Sequence, residues 1–211
     1  MKVRLLFAVC VAGAFMTACD STKADDGLIG TWSRMRDATE MRDRYVFGDD
    51  GSFTFDENKP DEPQTEDHIT GTYVAANGVV TATVTNTLQP GQARLTFSYY
   101  ANATQFSSAA MRPRSGHAGI VGTWTGVRKL EILDASEQSP SGSGVEWEFR
   151  ADGSFRQTVT PFDGTAGSTT DGTWVREADG TFRATADNSD KVVTLLDGEA
   201  LVFPSQIWQR N

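Results

Sequence analysis

Cysteine, histidine and proline are scarce in this chain, at two, two and seven of 211 residues. Cys10 lies inside the apolar run Leu5 to Phe15 and Cys19 stands just beyond it, so no thiol occurs from position 20 onward. Disulfides, thiol catalysis and cysteine-based zinc sites are thereby excluded from the body of the chain. The two histidines, His68 and His117, fall in stretches that read as polar loops, with no candidate nucleophile or second ligand beside either. A nucleophile elbow of the Gly-x-Ser-x-Gly kind is missing, and Ser141-Gly142-Ser143-Gly144 has neither its spacing nor its strand-to-helix setting, so it reads as loop. No glycine loop ends in Lys-Ser or Lys-Thr to cradle a phosphate. Hence no enzyme, no metal and no cofactor is expected. Basic residues are outnumbered, 19 against 28 acidic, for a net charge of −9. Such a chain repels phosphate backbones, which argues against nucleic acid as a partner.

Long hydrophobic runs are absent too. Leu5 to Phe15 is well short of the roughly 18 to 20 apolar residues that cross a bilayer, but Lys2 and Arg4 precede it as they do in a secretory leader. The Met16-Thr17-Ala18-Cys19 segment that follows resembles the bacterial lipobox, with Met16 where leucine is usual. The resemblance implies cleavage before Cys19 and a lipid on its sulfur, hence membrane attachment within the cell envelope, facing the periplasm or the exterior. Each buried methylene of such a lipid contributes roughly 0.8 kcal/mol, and several chains hold a protein almost permanently. Loss of Lys2 and Arg4 with the leader takes the net charge from −9 to about −11.

What the chain does have is an internal echo. Leu28-Ile29-Gly30-Thr31-Trp32-Ser33 returns as Ile120-Val121-Gly122-Thr123-Trp124-Thr125, offset by 92. Phe47 to Phe53, with Asp50-Gly51-Ser52 inside it, returns at Phe149 to Phe155 with Asp152-Gly153-Ser154, now offset by 102. Gly71-Thr72-Tyr73-Val74 returns as Gly172-Thr173-Trp174-Val175. The growth in offset places an insertion, read as a Ser/Gly-rich loop, at Ser136 to Gly144.

Within each copy the hydrophobic period is two, as in Val80-Thr81-Ala82-Thr83-Val84 and Leu95-Thr96-Phe97-Ser98-Tyr99, which means half-buried strands. Turn dipeptides at Asp50-Gly51, Asn77-Gly78, Asp152-Gly153, Asp179-Gly180 and Asp197-Gly198 join them as antiparallel hairpins. Seven strands are predicted in the first copy, near 29–36, 44–48, 52–56, 69–76, 79–86, 93–100 and 104–110, with an equivalent set in the second. The fold class is therefore all-β. The expected organisation is a leader over 1–18, a lipidated tether over 19–27, β domains over 28–112 and 120–211, and a linker over 113–119. Each copy must hide an apolar face and its edges, so two small antiparallel meander barrels are expected, with a single barrel or sandwich shared by both copies as the alternative. The acidic stretch Asp56 to His68 reads as a solvated hairpin loop in preference to a calcium site, since it lacks the EF-hand spacing.

The Gly-x-Trp at Gly30 to Trp32 and at Gly122 to Trp124, each followed by meandering hairpins, resembles the bacterial lipocalin-like domains that occur in lipoproteins. In that pattern the tryptophan plugs one end of a barrel and an arginine from the last strand packs over it. The resemblance offers Arg112 and Arg210, near the ends of the two copies, for that part. It implies a barrel interior that admits a small lipophilic ligand, with Tyr45, Phe53 and Tyr73 as walls in the first copy and Trp147, Phe155 and Trp174 in the second. The same six aromatics also read simply as core. A non-catalytic, membrane-anchored envelope protein is expected, acting on a small hydrophobic ligand or, alternatively, as a structural or protein-interaction module with solid cores.

Overall fold

The computed structural model describes residues 27–35, 42–57, 67–86, 91–133, 140–187 and 189–211. Cys19, the expected leader and tether up to residue 26, and most of the acidic stretch, 58–66, lie outside the described residues. The chain is all-β, and its one helix among the described residues is a 3-10 turn at Pro204–Gln206. The N-terminal half supplies β1 (Gly30–Met35), β2 (Arg42–Phe47), β3 (Ser52–Glu57), β4 (Asp67–Ala76), β5 (Val79–Asn86), β6 (Gln92–Ser98), β7 (Tyr100–Ala101), β8 (Gln105–Ser107) and β9 (Arg112–Pro113). The C-terminal half supplies β10 (Gly122–Ile132), β11 (Ser141–Phe149), β12 (Ser154–Pro161), β13 (Ser168–Arg176), β14 (Phe182–Ala186), β15 (Ser189–Leu196), β16 (Ala200–Val202) and β17 (Trp208–Arg210). Alternating apolar residues and turn dipeptides put these strands where they are. Asn77 and Asp197, first residues of their dipeptides, take φ of 53° and 51°, which tight hairpin turns demand and Asn and Asp tolerate.

Consecutive strands pair antiparallel throughout β1 to β6 and β10 to β16, and the registers correspond. Gly30 faces Phe47 and Trp32 faces Tyr45, as Gly122 faces Phe149 and Trp124 faces Trp147. Phe47 faces Phe53, and Phe149 faces Phe155. The two halves nevertheless form one antiparallel sheet of seventeen strands, where two separate barrels were expected. Three seams join them. β6 pairs with the outer part of β10, Leu95 opposite Leu130. β17, at the far end of the chain, lies between β1 and β8, with Trp32 opposite Arg210 and Phe106 opposite Trp208. β9 pairs with β10, Pro113 opposite Trp124, while the adjacent Met111 exchanges both backbone hydrogen bonds with Leu201 of β16. The last strand of each half thus attaches to the other half.

Two local expectations change. Pro113, placed in a featureless linker, belongs to β9. Ser141 to Gly144, read as loop, are the first residues of β11 and pair with Val127 to Leu130, and Ser143 and Gly144 also pair with Pro161 and Thr160. Gly142 is what makes this possible: a Cβ there would stand 2.1 Å from the Arg128 carbonyl oxygen, at φ +99°. Only glycine lets the strands approach so closely.

The inner faces bury three clusters. The first, in the N-terminal half, gathers Trp32, Tyr45, Phe47, Phe53, Tyr73, Phe97 and Phe106 together with Trp208 from β17. A second, around Trp124, Trp147, Phe149, Phe155, Phe182 and Leu201, includes Met111 from the N-terminal half. Tyr100, Ala110, Leu196, Ala200 and Val202 form a third between them.

Candidate functional site

Corresponding ladder positions on the inner faces carry different residues, and the difference is concentrated in one place. Tyr45 of β2 faces Phe55 of β3, whereas Trp147 of β11 faces Gln157 of β12. Ala82 of β5 faces Leu95 of β6, whereas Ala184 of β14 faces Lys191 of β15. Trp208 faces Phe106 in the strand that joins β1, whereas Met111 faces Leu201 beside β10.

In the N-terminal half the large residues fill the interior. Trp208 packs edge-on against Tyr45 with ring centres 4.6 Å apart, and Phe55 lies 4.6 Å from Tyr45. In the C-terminal half the smaller and polar replacements leave a cavity of about 150 Å³ bounded by Met111, Val145, Trp147, Gln157, Lys191 and Phe203. An adjoining recess of about 140 Å³ shares Gln157 and Lys191 and adds Phe155, Ala184 and Asp187. Arg128, which is exposed, stands at the rim of the main cavity.

Lys191 is the chemical centre of this space. Its Nζ donates to Gln157 Oε1 at 2.9 Å and sits 5.5 Å from the Trp147 ring centre, a cation-π contact that contributes about 0.5 to 2 kcal/mol. Neither Lys191 nor Arg128 has a carboxylate within ion-pair distance among the described residues. Elsewhere in the protein arginines are paired repeatedly, Arg44 with Asp56, Arg150 with Glu148, Arg156 with Asp171 and Arg183 with Glu177. Trp147 Nε1 is sealed from solvent without an acceptor among the described residues, a cost of about 1 to 3 kcal/mol. At the boundary between the halves, burial pushes the Tyr45 hydroxyl above its ordinary pKa, while Ser108, Arg128 and Arg34 pull it down.

The six aromatics singled out in the sequence are distributed unevenly about these spaces. Tyr45, Phe53 and Tyr73 belong to the filled core of the N-terminal half, where Tyr73 donates to the Gly48 carbonyl at 3.0 Å. Trp174 packs on Phe149 and Phe182 and donates to the Arg150 carbonyl at 3.0 Å. Trp147 alone among the six lines the main cavity, and Phe155 lines the recess.

The framework expected at the barrel ends is arranged differently. Trp32 and Trp124 each donate an indole N–H to the carbonyl four residues earlier, Leu28 at 2.9 Å and Ile120 at 2.8 Å. Arg210 does lie over an opening tryptophan, 5.0 Å from the ring centre, but the ring is Trp32 of the other half. Gly30 leaves the room: a Cβ there would meet Arg210 Nε at 3.1 Å. Arg112 covers neither tryptophan. Its Nε donates to the Tyr99 carbonyl at 3.1 Å and its guanidinium lies 4.9 Å over Tyr100. The physical reason is register, because Pro113 and not Arg112 stands opposite Trp124. His117 lies against Trp124 instead, 4.7 Å between ring centres, next to Gly122.

His68, expected in a loop, is in β4 with Nδ1 2.5 Å from Asp56 Oδ1. Burial raises the Asp56 pKa, but its bonds to His68 and Arg44 more than offset this and hold it below the usual carboxylate value. Among the described residues no three His, Cys, Asp or Glu side chains gather as a metal site would require. No protein-family model matches this chain, and no curated protein or solved structure matches it.

Gln157 and Lys191 were not singled out in the sequence. The signal was present in the alternation, since Lys191 is in phase with Val193 and Leu195 of the same strand and Gln157 with Phe155. Two polar residues on an inward phase are the signal that points to this cavity, because burying such groups is costly unless they find partners.

Proposed function

We propose that this protein is a non-catalytic binding protein of the bacterial cell envelope, tethered to a membrane through a lipid on Cys19, and that its C-terminal half takes a small ligand into the cavity beside Trp147 and Lys191. The observation that carries the reading is the contrast between the halves: at corresponding ladder positions Phe55, Leu95 and Trp208 give way to Gln157, Lys191 and Met111, and space opens there. Small ligand sites are mostly apolar concavities with a few placed polar groups. Supporting a description as two lipocalin-like units are the ladders of β1 to β6 and β10 to β16 and the Gly-x-Trp that opens each, with the units sharing strands instead of standing apart.

Native mass spectrometry of the protein from its own envelope extract tests ligand carriage. A low-mass adduct is expected, absent from a Met111→Trp variant that fills the cavity as Trp208 fills the other half. A clean apo mass for the unaltered protein refutes it. For the tether, labelled palmitate should enter the protein in its native host and be lost in Cys19→Ala. The filled N-terminal core favours a second role for that half as an interaction module. Crosslinking in cells should then yield a discrete partner, lost when residues 58–66 are deleted; no specific partner would refute this role.

A further inference from the structure

We infer that the ligand of this cavity is a small monocarboxylate with an apolar body of about phenyl size, held through Lys191. The inference rests on the ligand-binding reading above and narrows its chemistry.

Charge comes first. An ammonium has three donors, and Lys191 uses one on Gln157 Oε1. No carboxylate neutralises it among the described residues, although the chain as a whole carries −9 and its acids pair readily with arginines. Asp187, the acid lining the adjoining recess, makes no ion pair with it. A half-buried ammonium against an aromatic face, with donors to spare, gains further from an anion. Leu95 occupies the corresponding position in the N-terminal half, so the framework does not itself require a charge there.

Size comes second. A space near 150 Å³ is that which takes up a benzene ring, and the recess of about 140 Å³ beside Gln157 and Lys191 leaves room for a carboxylate. Val145, Trp147, Phe203 and Met111 supply an apolar wall, Gln157 has an unused amide N–H, and Arg128 at the rim draws anions inward. A doubly charged, strongly hydrated anion would find too few donors, whereas a carboxylate on an aromatic or short branched body matches both the single cation and the apolar wall.

Titration of the full chain with benzoate, benzyl alcohol, benzylamine and palmitate, followed through the tryptophan indole N–H resonances and by calorimetry, tests this. Benzoate should shift the Trp147 signal, assigned by its loss in Trp147→Phe, and leave those of Trp32 and Trp124 in place. Benzyl alcohol should bind at least tenfold more weakly, and benzylamine and palmitate should not compete. Lys191→Leu, copying Leu95, should weaken benzoate at least tenfold in a chain that still unfolds cooperatively, and Lys191→Arg should keep benzoate within threefold. Equal binding of benzyl alcohol and benzoate, indifferent to Lys191→Leu, overturns the anion assignment and leaves the cavity as a neutral binding site. Tighter binding of palmitate overturns the size limit. If none of the four shifts Trp147, both this inference and the ligand-binding reading fail.

Discussion

Arg34, largely buried, ties three parts of the structure together. Its Nη2 meets Asp43 Oδ2 at 2.6 Å, its Nη1 donates to the Ser205 carbonyl at 2.9 Å, and its guanidinium lies 4.6 Å from the Trp208 ring centre. Asp43 is 1% exposed, so Arg34→Met strands a buried carboxylate and should cost about 3 kcal/mol in urea unfolding, with much of that recovered in Arg34→Met/Asp43→Leu. Tyr100 makes a second link, donating its hydroxyl to Asp197, which also accepts from Asn102 at 2.7 Å. Burial first, and the bond to Asp197 next, push the Tyr100 pKa up to about 12 from the ordinary 10.0. The folded state therefore keeps a proton that the unfolded chain loses, so this contribution is whole below pH 10 and declines as pH rises from 10 towards 12. Tyr100→Phe should flatten the loss of stability over that interval, measured by denaturant unfolding at stepped pH. Neither link was legible in the sequence. Trp32 and Trp124 were, because each repeats inside a longer matching context, whereas Ser205 and Trp208 lie far along the chain from Arg34, and Asp197 from Tyr100.

Strands were the easiest element to read. Val79–Asn86 appears at the predicted bounds, and β1 to β6 lie within about two residues of theirs, because alternation and turn dipeptides are local signals. Short pieces escaped: Arg112–Pro113 is too brief to show a period, and the serines and glycines of Ser141–Gly144 have the composition of a loop. β17 shows the limit of local reading most plainly. Its residues read as the close of the C-terminal half, yet Trp208 is 2% exposed within the N-terminal core. Trp208→Ala should therefore cost about 3 to 5 kcal/mol. The loss should register in the N-terminal half, as faster amide exchange in β1 and β8 than in β12 and β13.

At the scale of the molecule, alternation settled the all-β class, but pairing across the halves lay beyond it. A strand pattern names which face is buried and leaves the neighbouring strand open. The seams through β6 and β10, β9 and β10, and β17 with β1 and β8 make separate unfolding of the halves unfavourable. A single cooperative transition by calorimetry is expected, and the fragment 28–112, without β17, should show the broad, weakly cooperative melt of an open-edged sheet. Two resolved transitions would contradict this. The placement of β17 also has a temporal consequence. A ribosome makes Trp32 some 176 residues before Trp208, so β1 and β8 emerge long before the segment that will separate them. Such distant pairing slows folding. A nascent chain of this kind carries a vacant slot at its beginning until its last strand is translated, and during that wait something must keep the slot from being filled by the wrong strand.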